Sequence, residues 1–326
     1  MPLYSNNLFH SAWFKQTLKI GLSAGLLAYC LTLVDLSRIP TILDGCNWNL
    51  LAAAFFLTLI GTIISKAIIL KILLPSTSDT TTLRLISINL ALRFYTMILP
   101  KAVVAGIRWN KYRKISDAHV ALVIVSFEAL LALTISTIFA LGFMFFERAS
   151  IVPPMLKSAT LCLLVLFIFS SAILFFYPHS QLLDRFERLL KSVSLTRFAA
   201  HLLGKWRESV TALNFRESSK LFPVLSIAAF GHLTFLIGGY ILFLAMQVEV
   251  SFTAVAWVRS AVFVLVSVPV SFAGIGIREL GFISLFGLYG IDSSEIIVYA
   301  LLALFLQSLI AALGLLIETK GWLGKA

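Results

Sequence analysis

Seven charged side chains fall inside or against long apolar stretches: Arg93, Lys101, Arg108, Glu128, Arg259, Arg278 and Glu279. Away from water a charge must find a partner, hold a ligand or reach an interface. The arginines offer a planar fork of donors that suits phosphate oxygens, and the lysine a compact point charge. The chemistry these residue types support is therefore recognition of an anion in apolar surroundings. For Arg108 and Arg278 the plainer role is anchoring, by snorkelling or by binding loop carbonyls. Glu279, beside Arg278, suits a structural ion pair. Glu128 has no basic residue one turn away on its own segment, so its partner must come from elsewhere; it serves either as counter-ion to an arginine or as a proton carrier. His232 could relay protons or simply pack. No hydrolase triad, metal-ligand spacing or phosphate-cradling glycine loop is present, so no enzyme activity, metal or cofactor is expected.

What positions these charges is a chain that is mostly apolar. Of its 326 residues 60% are hydrophobic and only 13% charged, with a mean hydropathy of +0.97. A soluble domain carries about a quarter charged residues. Six runs are long enough for roughly 30 Å of hydrocarbon, at about 17–36, 49–70, 118–146, 157–177, 221–246 and 295–317. The net charge of +11 belongs to short loops beside these runs, not to a nucleic-acid surface. Eight basic residues lie between Lys71 and Asp117 and eight more in the loop 178–220, while the loops near 147–156 and 247–251 have almost none. The positive-inside rule then puts both termini in the cytoplasm after six crossings of the cell membrane. Cys30, Cys46 and Cys162 form no pair with metal or disulfide spacing.

Two apolar stretches do not fit as full spans. In 83–108, Arg93 falls at the middle and Pro100 ends the run; Gly106-Ile107-Arg108 follows. In 252–290, a helix bearing Arg259 stops at Pro269, and Gly274-Ile275-Gly276 precedes Ile277-Arg278-Glu279. Each reads as helix, break, helix, with breaks at Pro100 and Gly106 and at Pro269, Gly274 and Gly276. Treating each as a re-entrant hairpin keeps the loop charges consistent. The expected fold is an all-α integral membrane protein: six transmembrane helices plus two opposed re-entrant hairpins. It forms a single polytopic domain over 1–326, with inverted halves at about 1–150 and 151–326. Interrupted segments in matching positions of two halves point to a transport site. The loop 178–220 is amphipathic in places, as in Leu182 to Leu190, and suits a helix lying on the inner leaflet.

The segment Ser267-Val-Pro-Val-Ser-Phe-Ala-Gly-Ile-Gly-Ile-Arg-Glu279, with the later Gly290, resembles the flippase-like transmembrane region of lysylphosphatidylglycerol synthases. Phe94 through Leu99-Pro100 to Arg108 resembles an earlier feature of that family. Two departures stand out: Lys101-Ala-Val-Val-Ala-Gly106 replaces a glycine-rich run, and Glu128 is followed by Ala129 instead of Arg. The resemblance implies a stand-alone membrane form without the aminoacyl-transfer domain, so lysyl transfer is not expected. It implies a flippase-like protein that moves a lipid or lipid-linked anionic substrate between leaflets. The alternative is an accessory membrane protein that presents lipid to a separate glycosyl- or aminoacyl-transferase. The expected partners are membrane lipids, phosphate-bearing or polyprenyl-linked, and a cognate transferase. Arg278, Glu279, Arg259, Arg108, Arg93, Lys101 and Glu128 are the candidate substrate-binding residues.

Overall fold

In the computed structural model, residues 21, 24–35, 37–74, 80–148, 151–176, 185, 208, 210, 218–267 and 274–323 are described. Among them the chain is helical, with no strand. The helices are α1 (24–32), α2 (Arg38–Asp44), α3 (Trp48–Leu73), α4 (Thr82–Ile98), α5 (Lys101–Tyr112), α6 (Ala118–Phe146), α7 (Pro154–Ser171), α8 (Ser218–Ala245), α9 (Phe252–Ser267), α10 (Ile277–Phe286) and α11 (Ser293–Leu323). Five of them, α3, α6, α7, α8 and α11, are long and apolar enough to cross a membrane. They coincide with five of the six runs read from hydropathy. The first run, 17–36, lies partly outside the described residues, as do most of the loop 178–220 and Pro269. The protein is a multi-pass membrane protein.

Local chemistry sets the helix ends. Asn47 caps α3, its Oδ1 accepting from the amides of Asn49 and Leu50 at 3.0 and 3.3 Å. Thr81 caps α4 by accepting from the Arg84 amide. Pro153 and Pro154 open α7, where a missing N–H costs nothing. Hydroxyls inside the long helices bond back one turn, as Thr58 does to the Ala54 carbonyl at 2.8 Å, so no water is needed.

The first break behaves as proline requires. α4 ends at Ile98, Leu99 is extended, and Pro100 leads directly into α5. Gly106, expected at the break, lies instead inside α5. One proline suffices to stop the helix, and the next one restarts at once, so the glycine only weakens a helix interior, by about 1 kcal/mol. At the second break Gly274 and Gly276 both adopt φ +83°, in the region open mainly to glycine.

The packing is reciprocal. Helix α4, before the first break, lies along α11, and α9, before the second, lies along α6. The helices that follow the breaks, α5 and α10, pack on α6 and α11. Between them α3 crosses α8. A Cβ on Gly61 would lie 2.5 Å from the Gly231 carbonyl, and one on Gly231 2.5 Å from Ser65 Oγ. A π turn, Ile60–Ile64, occupies that crossing.

Two apolar cores result. One gathers Leu70, Leu85, Leu92, Tyr112, Ile124 and Val224 around the first hairpin. The other gathers Leu51, Phe243, Trp257, Phe282, Phe286 and Tyr299 around the second. The first core uses Ala67 to Leu73 of α3 and the second Leu51 and Ala54, so the two cores lie toward opposite ends of that helix.

Candidate functional site

Tyr112 on α5 and Glu128 on α6 meet because the short limb packs on that helix. The phenol donates to the carboxylate at 3.2 and 3.3 Å, and Arg108, one turn earlier, stands 3.7 Å from Glu128 Oε2. Arg108 supplies the partner that Glu128 lacks on its own helix. At 3.7 Å the contact is an ion pair and not a hydrogen bond. Arg108 Nε is buried with no hydrogen-bond partner.

Arg93 points from α4 toward α11, where Nη2 donates to Gln307 Oε1 at 2.5 Å. Its Nε also has no partner.

At the second break Arg278 and Glu279 form an ion pair, Arg278 Nε donating to Oε1 at 2.8 Å. The other oxygen of Glu279, three residues into α10, accepts from the Gly276 amide at 2.8 Å. A glycine has no side-chain oxygen to return the favour, so only this half of a capping box exists. The carboxylate occupies the anion position that a helix N-terminus creates. At the first break no side chain caps α5. Helix α1 reaches the second break, where Cys30 is buried with its sulfur 4.0 Å from the Gly276 carbonyl.

Arg259 stands apart. It is 4% exposed, donates to the Tyr299 hydroxyl at 2.5 Å and lies 4.1 Å over the Phe235 ring. A Cβ on Gly239 would overlap its side chain, so that glycine makes the room. Cation–π stacking replaces a carboxylate here. Neighbouring His232 is satisfied by Ser260 at 3.0 Å and packs edge-on against Phe139.

The structure therefore pairs Arg108 with Glu128 and Arg278 with Glu279, sets Arg93 on Gln307, and holds Arg259 on Tyr299 and Phe235 in the core around the second break. The side chain of Lys101 lies outside the described ones. Sequence reasoning passed over Gln307, the partner of Arg93; it is a polar side chain well inside the apolar run 295–317, and that isolation was the available signal. Among the described residues no cluster of three or more His, Cys, Asp or Glu side chains could hold a metal.

No curated protein and no solved structure matches the chain. The sequence profile described as the lysylphosphatidylglycerol synthase TM region matches residues 16–314, nearly the whole length, and spans both hairpins and both of their Gly-Ile-Arg segments. The chain belongs to the lysylphosphatidylglycerol synthase TM region family.

Proposed function

We propose that this protein moves a lipid or lipid-linked substrate with an anionic head group between the two leaflets, as a flippase-like transporter. The observation that carries the reading is the buried guanidinium of Arg93, which meets the neutral amide of Gln307 and keeps an Nε without a partner, with Arg108 and Arg278 held by Glu128 and Glu279 after the two breaks. A cation held away from water is costly unless something answers it, and a head group entering from the bilayer does so while its tails stay in lipid. The reciprocal packing of α4 on α11 and α9 on α6 supports an inverted repeat with re-entrant hairpins. In such a repeat, rocking one half against the other exposes the same cations to each side in turn. The close crossing of Gly61 and Gly231, which joins the second long helix of each half, suits the pivot. The positive charge of the loops at 71–117 and 178–220 supports a reading with both termini in the cytoplasm.

The test is leaflet movement of a fluorescent anionic lipid in vesicles that contain only this protein. Faster movement than in empty vesicles, lost in Arg278→Ala at equal protein incorporation, is the expected result. Binding of the lipid without any movement would favour the accessory reading, in which the protein presents lipid to a separate transferase. Full retention of movement by Arg278→Ala would remove that arginine from the site.

A further inference from the structure

We propose that α11 carries two stations for a singly charged phosphate: Arg93 held on Gln307, and Arg259 held on Tyr299. The neutrality of Gln307 and Tyr299 keeps both arginines available to the ligand. This deepens the translocation reading above, on which its lipid part rests; the anion part stands on the side-chain contacts.

Arg93, Arg108, Arg259 and Arg278 divide by the partners they keep. Arg108 and Arg278 each meet a carboxylate, Glu128 and Glu279. Arg93 and Arg259 meet none among the described residues: one donates to the Gln307 amide oxygen, the other to the Tyr299 hydroxyl. Each keeps a buried Nε without a hydrogen-bond partner. The Tyr299 hydroxyl accepts from Arg259 and donates to nothing among the described residues. Phe235, whose ring lies 4.1 Å from the Arg259 guanidinium, offers a π face and no formal charge. Tyr299 and Gln307 stand on the same helix, about 12 Å apart along its axis. Gln307 falls near the middle of the apolar stretch Ser293–Thr319 and Tyr299 toward one end. Glu318, toward the other end, is already taken by Lys111 and Tyr95.

A buried charge without an opposite one is costly, and an entering anion removes the cost. Each station offers one positive charge, so a phosphodiester with its single negative charge leaves it neutral. A zwitterionic head group brings its own cation and gains less. The guanidinium fork matches two phosphate oxygens, and Nε–H is one of the donors such a fork uses. A carboxylate in place of Gln307 or Tyr299 would fill the station permanently, as Glu279 fills the one at Arg278. An amide and a phenol steady the guanidinium without competing for its charge. Stations about 12 Å apart, against roughly 30 Å of hydrocarbon, hold one head group first near an end of α11 and then near its middle.

The experiment uses the full chain in phosphatidylcholine nanodiscs doped with phosphatidylglycerol, and native mass spectrometry reads the lipid retained. Wild type should prefer phosphatidylglycerol about tenfold; no preference would overturn the proposal. Gln307→Glu gives Arg93 a permanent counter-ion, so the preference should fall at least about threefold while the melting temperature holds or rises. An arginine that only braces α4 on α11 would keep the preference, and that outcome overturns the first station. Arg259→Met removes a cation and leaves no acid behind, so the same fall is expected without loss of melting temperature. Arg259→Lys keeps the charge but not the fork and should lie between. An undiminished preference in both Arg259 variants overturns the second station. Displacement of phosphatidylglycerol by glycerophosphoglycerol at equal concentration would overturn the lipid part and assign the stations to a soluble phosphodiester. Retention without leaflet movement sinks the transport reading alone; movement undiminished in Gln307→Glu and Arg259→Met sinks this inference alone.

Discussion

Lys111 and Glu318 meet at 2.8 Å, tying the first hairpin to the far end of the last long helix, 207 residues away in sequence. The hydroxyl of Tyr95, on the other limb of the same hairpin, donates to the same carboxylate at 2.9 Å. Both limbs are thus latched to α11 by one acid. The side chains are only 21% and 16% exposed, so solvent screens the pair less than a surface pair. Glu318→Gln should lower stability by about 1–2 kcal/mol, between the values for exposed and fully buried pairs. Lys111→Met combined with Glu318→Gln should cost less than the sum of the two single changes. Thermal unfolding in detergent, arranged as a double-mutant cycle, measures the coupling; strict additivity would mean that the latch contributes nothing.

Arg108 and Glu128 permit a sharper version of the same experiment. Removing the acid leaves a cation without its counter-ion, whereas removing both leaves an apolar gap. Glu128→Ala should therefore destabilise by about 3 kcal/mol, and Arg108→Met added to it should restore part of the loss. A double variant less stable than Glu128→Ala would show that the arginine has other partners that matter more.

The crossing of α3 and α8 has an asymmetry that substitutions expose. At Gly61 the obstacles to a Cβ include the backbone carbonyl of Gly231 at 2.5 Å; at Gly231 the nearest are the side-chain atoms of Ser65. Gly61→Ala should cost about 2–3 kcal/mol, as overpacking does. Gly231→Ala should be partly rescued by Ser65→Gly. Melting temperatures of the three variants in detergent decide this, and rescue failure would mean that the Gly61 carbonyl, 3.1 Å away, is the true limit.

Arg38, which opens α2, and Asp292, on the loop before α11, stand 3.3 Å apart and are both well exposed. Partial burial pushes the Asp292 carboxyl up, but the Ser294 amide and hydroxyl and the Arg38 charge outweigh it and hold it below the usual carboxylate range. A lowered value means the folded state favours the ionised form. Its contribution, under about 1 kcal/mol, is present at neutral pH and lost as pH falls through the lowered value. Asp292→Asn should flatten the acid side of the stability profile; an unchanged profile would assign no role to this carboxylate.

Cysteine probes at Ala105 and Ile275, in a cysteine-free background, test the opposed hairpins. Labelling of the first only from inside and the second only from outside is expected. Labelling of both from one side would remove the inverted repeat and with it the alternating-access reading.

Much of this was legible in the chain because the bilayer demands it. A long helix buries every backbone polar group, so an apolar run long enough to span announces itself in composition alone. Pro100 ended α4 for a local reason, the missing amide and the ring's clash, and Gly274 and Gly276 took left-handed backbone for another. Arg278 and Glu279 met because they are neighbours, and the third residue of a helix can reach back to the first free amide.

Pairings across long separations were beyond such reasoning. That Glu128 would receive Arg108 and Tyr112 and that Arg93 would choose Gln307 depends on which helix lies against which. Periodicity states that a face is apolar but not which face it meets, since lipid and protein interior are equally apolar to a leucine. The sequence by itself determined an all-helical membrane protein whose apolar stretches are interrupted at Pro100 and at Gly274 and Gly276. Only the tertiary structure decided which charges pair across the chain, because the close approach of helices, as at Gly61 and Gly231, is a property of two surfaces together.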